Sequence, residues 1–134
     1  MDDYLAAEPL IVARLEDQIP EVSVKSTWGM PRIQENFDLA PAILVFLEED
    51  RPGQDSGISQ KVEQVWLCLV VVNNAEKEAG PLIGRVIKAM SGWRPVGNMF
   101  STFKRVKSHF NPDYSPNGVY YFPLAFSTNF VFTV

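Results

Sequence analysis

From Val65 to Val72 the chain has no polar side chain except that of Cys68. One buried face is enough for a strand in a simple sheet, so a strand apolar on both faces must be covered on both sides. Ala42–Leu47 is a second run of this kind, preceded by Pro41. Residues 119–134 carry the clearest strand pattern, with period-two alternation. Tyr120, Phe122, Leu124, Phe126, Thr128, Phe130, Phe132 and Val134 fall on one face, and Tyr121, Pro123, Ala125, Ser127, Asn129, Val131 and Thr133 on the other. Pro123 cannot donate to a ladder, so it marks an edge, a bend or a break.

Residues 3–19 predict a helix, with Leu5, Ile11, Val12, Leu15 and Ile19 on one face and Pro9 in or near the first turn. Ile19-Pro20 closes it. Residues 76–91 predict a second helix, with the stripe Leu82, Ile83, Val86, Ile87 and Met90, and Gly92 as its stop. Short strands are predicted at 22–27 and 101–107, a turn at 28–31 and irregular chain at 32–40. Residues 48–59 read as a polar loop joining the strands 42–47 and 60–73, and 109–118 as a loop dense in turn formers. The order α-β-β-β-α-β-β predicts an α+β fold: a mixed, mostly antiparallel sheet with two helices packed on one face. The other face, with Val65, Leu67, Leu69 and Val71, then needs a cover, either a loop of the same chain or another subunit.

A length of 134 residues fits one domain spanning 1–134. Hydrophobic residues make up 46% and charged residues 21%, the balance of a globular protein rather than a disordered one. The net charge of −4 favours neither nucleic acid nor an anionic membrane. Its distribution is more telling. Residues 1–60 hold 12 acids and 4 bases, giving −8, and residues 61–134 hold 4 acids and 8 bases, giving +4. Such a division suits a surface of two signs that meets its own kind head to tail. The acidic Met-Asp-Asp-Tyr start lacks the basic residues of a signal peptide, and no apolar run approaches the ~20 residues of a membrane span. A reducing cytoplasm is the expected compartment.

Candidate chemistry is sparse. One cysteine, Cys68, lies in the apolar run and one histidine, His109, in a predicted loop, so neither a disulfide nor a Cys/His metal site is expected. Cys68 reads as a packed core residue and His109 as an exposed loop residue. Glu48, Glu49 and Asp50 with Asp55 lack the spacing of a calcium loop and read as a solvated acidic tip. Gly80–Gly84 lacks the Gly-Lys-Ser/Thr of a phosphate loop. Lys104, Arg105 and Lys107 form a small basic cluster on a predicted strand, suited to a charged subunit contact. No catalytic apparatus, metal or cofactor is expected, and an interaction or structural protein leads.

The helix Pro9–Leu15 running into Ile19-Pro20 and Val22–Lys25, the strands 42–47 and 61–72, the helix Leu82–Met90 closing on Gly92-Trp-Arg-Pro95 and the long last strand together carry a resemblance. The chain resembles the tail terminator, or tail-completion, proteins of long-tailed bacteriophages, in particular the small minor tail proteins of Mu-like and lambda-like phages. The resemblance implies a homohexameric ring on the head-proximal end of the tail tube, assembled in the host cytoplasm. Such a ring stops tube polymerisation and presents a surface to the head–tail connector. Its implied partners are itself, the tube protein and the connector, without a membrane or sequence-specific nucleic acid. Glu48, Glu49, Asp50, Arg51, Lys104, Arg105 and Lys107 are the candidate subunit or tube contacts. The loops 48–59 and 108–118 match no family feature. Alternatives are a neck or head-completion protein, another tail adaptor, or a small enzyme or ligand-binding domain with Trp28, Trp66, Trp93 and Tyr114 around a pocket.

Overall fold

The doubly apolar stretch lies in the middle of one sheet. The computed structural model describes residues 2–26, 41–116 and 118–133. The elements are α1 (Ala7–Gln18), β1 (Ser23–Ser26), β2 (Ala42–Asp55), β3 (Ser59–Val72), α2 (Gly80–Met90), β4 (Lys104–Val106), β5 (Asp113–Tyr114) and β6 (Tyr120–Thr133). A wide π-type turn, Ala75–Ala79, leads into α2. The strand order is β1-β2-β3-β6-β4, with β5 also on β6. Among the described residues only β1 and β2 pair in parallel. The fold is the expected α+β arrangement, a mostly antiparallel sheet with two helices on one face.

Ile11 and Leu15 of α1 and Val86 and Met90 of α2 pack on Ile43, Val45, Trp66, Cys68, Val70, Leu124 and Phe126. Each fully buried side chain of this size is worth roughly 1.5–3 kcal/mol. Arg14 ties the helices together: its Nε donates to the Ala89 carbonyl at 3.0 Å, and its guanidinium lies 5.5 Å from the Trp93 ring centre. Trp93 stacks on Phe103 at 5.2 Å.

Several boundaries differ from the pattern reading. The helix expected from residue 3 begins at Ala7, because residues 3–6 form a turn in which the Asp3 carboxylate accepts from Leu5 N at 2.9 Å. Pro9 sits within the helix's first turn, where its missing N–H costs nothing. The expected strand 101–107 pairs only over Lys104–Val106, and the loop 109–118 contains the short β5. The strand β6 is unbroken through Pro123. Its neighbour β5 faces Tyr120–Tyr121 and β4 faces Ala125–Ser127, so Pro123 lies opposite the gap between them. The turn at 28–31, the chain at 32–40 and Trp28 fall outside the described residues.

The largest correction concerns residues 48–59. Rather than a loop, they continue β2 to Asp55 and open β3 at Ser59, with only Ser56–Ile58 between. Register shifts at Leu47/Glu49 and Pro52/Asp55 mark bulges, which broke the alternation. Among the described residues β1 pairs with β2 only as far as Val45, so Pro52 interrupts no ladder on that side. Gly53 is required by close approach, since a Cβ there would lie 2.9 Å from the Lys61 carbonyl. The result is a long β2–β3 arm, backed by β6 along β3 as far as Ser59, whose β2 side is exposed from Asp50 onward.

Candidate functional site

The second sheet face is covered from within the chain. Val65 and Leu67 are 1% exposed and Leu69 7%. Two apolar clusters form there, one of Ala42, Leu44, Leu69, Val71, Val119 and Tyr121, the other of Val65, Leu67 and Ala125, with Phe46 and Val106 against them. Residues 107–112 run as a strap from β4, beside β6, across to β2 and back to β5. Phe110 meets Phe46 edge-on at 6.2 Å. Of the two covers left open by the sequence, the same chain supplies this one. The face therefore gives no support to a subunit contact.

The acidic candidates are what holds the strap. Glu48 Oε1 accepts from Ser108 Oγ and, at 3.3 Å, from His109 N. Glu49 pairs with His109 Nε2 at 2.6 Å and with Arg51. The hydrogen bond to His109, with Arg51 second, keeps the Glu49 carboxyl below its ordinary range. Asp50 points to the helix face, where it accepts from Tyr4 Oη at 3.0 Å and from Gln64 Nε2 at 3.3 Å. Arg51 bridges to Glu63 of β3 at 2.8 Å and braces the arm. The run Glu48–Arg51 is thus bound internally instead of forming a free acidic tip.

The basic candidates are placed differently. Lys104, Arg105 and Lys107 are exposed on or just past β4, the edge strand of the sheet. Among the described residues none of the three has an ion-pair partner. Lys107 shares a groove of about 520 Å³ with Arg51, Ser108 and His109. The structure therefore brings Lys107 near the acidic run through the strap, but it does not join all seven residues into one patch.

The proposed aromatic pocket does not assemble. Trp66 is fully buried on the helix face, its Nε1 donating to Gln64 Oε1 at 3.2 Å. Trp93 stacks at the end of α2, and Tyr114 is 62% exposed on β5. Cys68 is fully buried, and burial pushes its thiol up to about 12. Among the described residues, no group of three or more His, Cys, Asp or Glu could hold a metal ion, and no helix is long and apolar enough to cross a membrane.

Two surface features were missed by pattern reading. A groove of about 650 Å³ lies between Lys61 and residues 129–131 on one side and Arg94 with residues 98–101 on the other. Ile58, an isolated apolar residue in a polar stretch, stands 73% exposed at the arm's tip. Its isolation in the sequence was a usable signal, whereas the groove joins residues remote in sequence and left none.

No curated protein matches the chain at a significant level. A family model described as phage tail terminator protein matches residues 1–134, the whole length of the arm-bearing sheet and its two helices, and the chain belongs to that family.

Proposed function

We propose that the 134-residue chain works as one unit, six copies of which close into a ring at the head-proximal end of the phage tail tube. A tail terminator is a structural component of the tail, and the role proposed here needs no catalysis. The ring stops tube growth, and its opposite surface is offered to the head–tail connector. Assembly takes place in the host bacterial cytoplasm.

The whole-chain family match carries this reading. The surface supports it. Lys104, Arg105 and Lys107 stand at a sheet edge with no ion-pair partner among the described residues, so a neighbour's carboxylates can meet them without breaking a described pair. Each exposed pair is worth only ~0–1 kcal/mol, so the cluster sets orientation and association rate more than affinity. Termination follows from geometry. A tube grows by repeating one interface, and a subunit that reproduces half of it and lacks the other half ends the series.

Polymerisation of purified tube protein, followed by electron microscopy with and without the chain, tests this. The expected result is short tubes capped at one end, with growth arrested. Tubes of unchanged length and bare ends would overturn the proposal.

A further inference from the structure

The tip of the β2–β3 arm is a preformed knob. Its turn is closed by Ser56 N donating to the Ser59 carbonyl at 3.0 Å, Ser59 N to Ser56 Oγ at 3.1 Å, and Gly57 N to Asp55 Oδ1 at 2.7 Å. Gly57 adopts φ +91°, a conformation that favours glycine. Gln60 Nε2 reaches back to the Gly53 carbonyl at 3.0 Å. Ile58 is therefore held out in solvent by an ordered turn, and docking it would cost little further ordering. Asp55 beside it has no ion-pair partner among the described residues.

The groove missed by pattern reading has the opposite character. Its walls include Met99 and Val131, each 50% exposed, and its cations are Lys61 and Arg94. No acidic residue lines it among the described residues. Arg94 Nε donates to the Phe100 carbonyl at 3.1 Å, which leaves its terminal nitrogens available. Past the Ser101 N to Asn129 carbonyl bond at 2.9 Å, no strand pairs with β6 on this side among the described residues.

We propose that the arm tip of one copy docks in this groove of a second copy, with Ile58 against Met99 and Val131 and Asp55 facing Lys61 and Arg94. Apolar knob meets apolar wall, and a lone carboxylate meets two cations without a carboxylate of their own. The tip of the same chain does not fill the groove, because Ile58 remains exposed and Arg51–Glu63 braces the arm. Knob and groove are different surfaces, so the contact is head to tail and suits a ring; it rests on the ring reading above.

Disulfide capture between copies tests it. Cys68 is fully buried with its thiol pushed up to about 12, so only introduced cysteines react. Ile58→Cys and Met99→Cys chains are mixed and mildly oxidised, alone and with tail tubes. Both positions are exposed, and circular dichroism checks that each variant folds. The expected product is a disulfide-linked dimer with one chain of each kind. Lys61→Glu with Arg94→Glu in the Met99→Cys chain should cut its yield about tenfold, and Asp55→Lys in the other chain should restore it. No mixed dimer under either condition overturns the contact. Capture of Ile58→Cys on a tube subunit instead assigns the knob to the tube and overturns it as well. A hexamer without the mixed dimer refutes this contact but leaves the ring, whereas a mixed dimer in a chain that never forms a ring refutes the ring.

Discussion

Gln64 is the polar centre of an apolar interior. It is fully buried, accepts from Trp66 Nε1 and donates to both the Tyr4 carbonyl and Asp50. Gln64→Leu leaves the buried Trp66 N–H without its acceptor, so chemical denaturation should show a loss of about 1–3 kcal/mol. Cys68 gives a second test. Its thiol titrates near 9.0 when unfolded and at about 12 in the fold. The folded state thus keeps a proton that the unfolded state loses. The stabilisation is complete below pH ~9 and falls by about 1.4 kcal/mol per unit up to pH ~12. Denaturation curves across this range should show the slope in the native chain and lack its Cys68 component in Cys68→Ala. At this scale much was legible. A lone cysteine in an apolar run reads as core, and the burial bears this out. The partners of Glu48, Glu49 and Asp50 were not legible, because apart from the Glu49–Arg51 pair each bond joins residues at least 14 apart in the sequence.

The strap and the arm explain themselves as elements. The strap has few side chains to bury, so it is held at its crossing point by two carboxylates and one aromatic contact. Glu49→Ala together with Phe110→Ala should speed hydrogen exchange in residues 107–112 while α1 and α2 stay protected. Acid should act in the same direction. The Glu49 carboxyl is lowered in the fold, so its pairing stabilises above pH ~4.5 and is lost as pH falls below that value. On the helix face, Arg14→Ala removes both the bond to Ala89 and the contact with Trp93. Thermal melts should register a loss of about 1–2 kcal/mol. Both helices and β6 were readable from periodicity, and the inner parts of β2 and β3 from runs apolar on both faces. The arm was not, because its outer strand β2 is exposed from Asp50 onward and needs no apolar alternation, and its bulges disrupt what remains.

At the scale of the whole molecule, the central strands are buried on both faces by the chain itself, which leaves edges and protrusions as the exposed parts of the sheet. Of the two covers that the sequence left open for the doubly apolar stretch, a loop of the same chain or another subunit, the chain itself supplies the one observed. The exposed cations of β4 have no ion-pair partner among the described residues, whereas Glu48, Glu49 and Asp50 of β2 are bound within the chain. Lys104→Glu with Arg105→Glu and Lys107→Glu should therefore weaken self-association without lowering the melting temperature of the monomer by more than a few degrees. Reversal of Glu48–Asp50 should instead destabilise the fold by releasing the strap and the Gln64 network. Native mass spectrometry of the purified chain, over a range of concentrations and with tail tubes added, tests the ring most directly. A species of six copies, free or bound to tubes, is the predicted result; a chain that remains monomeric in solution and binds tubes in some other number, or not at all, would contradict it.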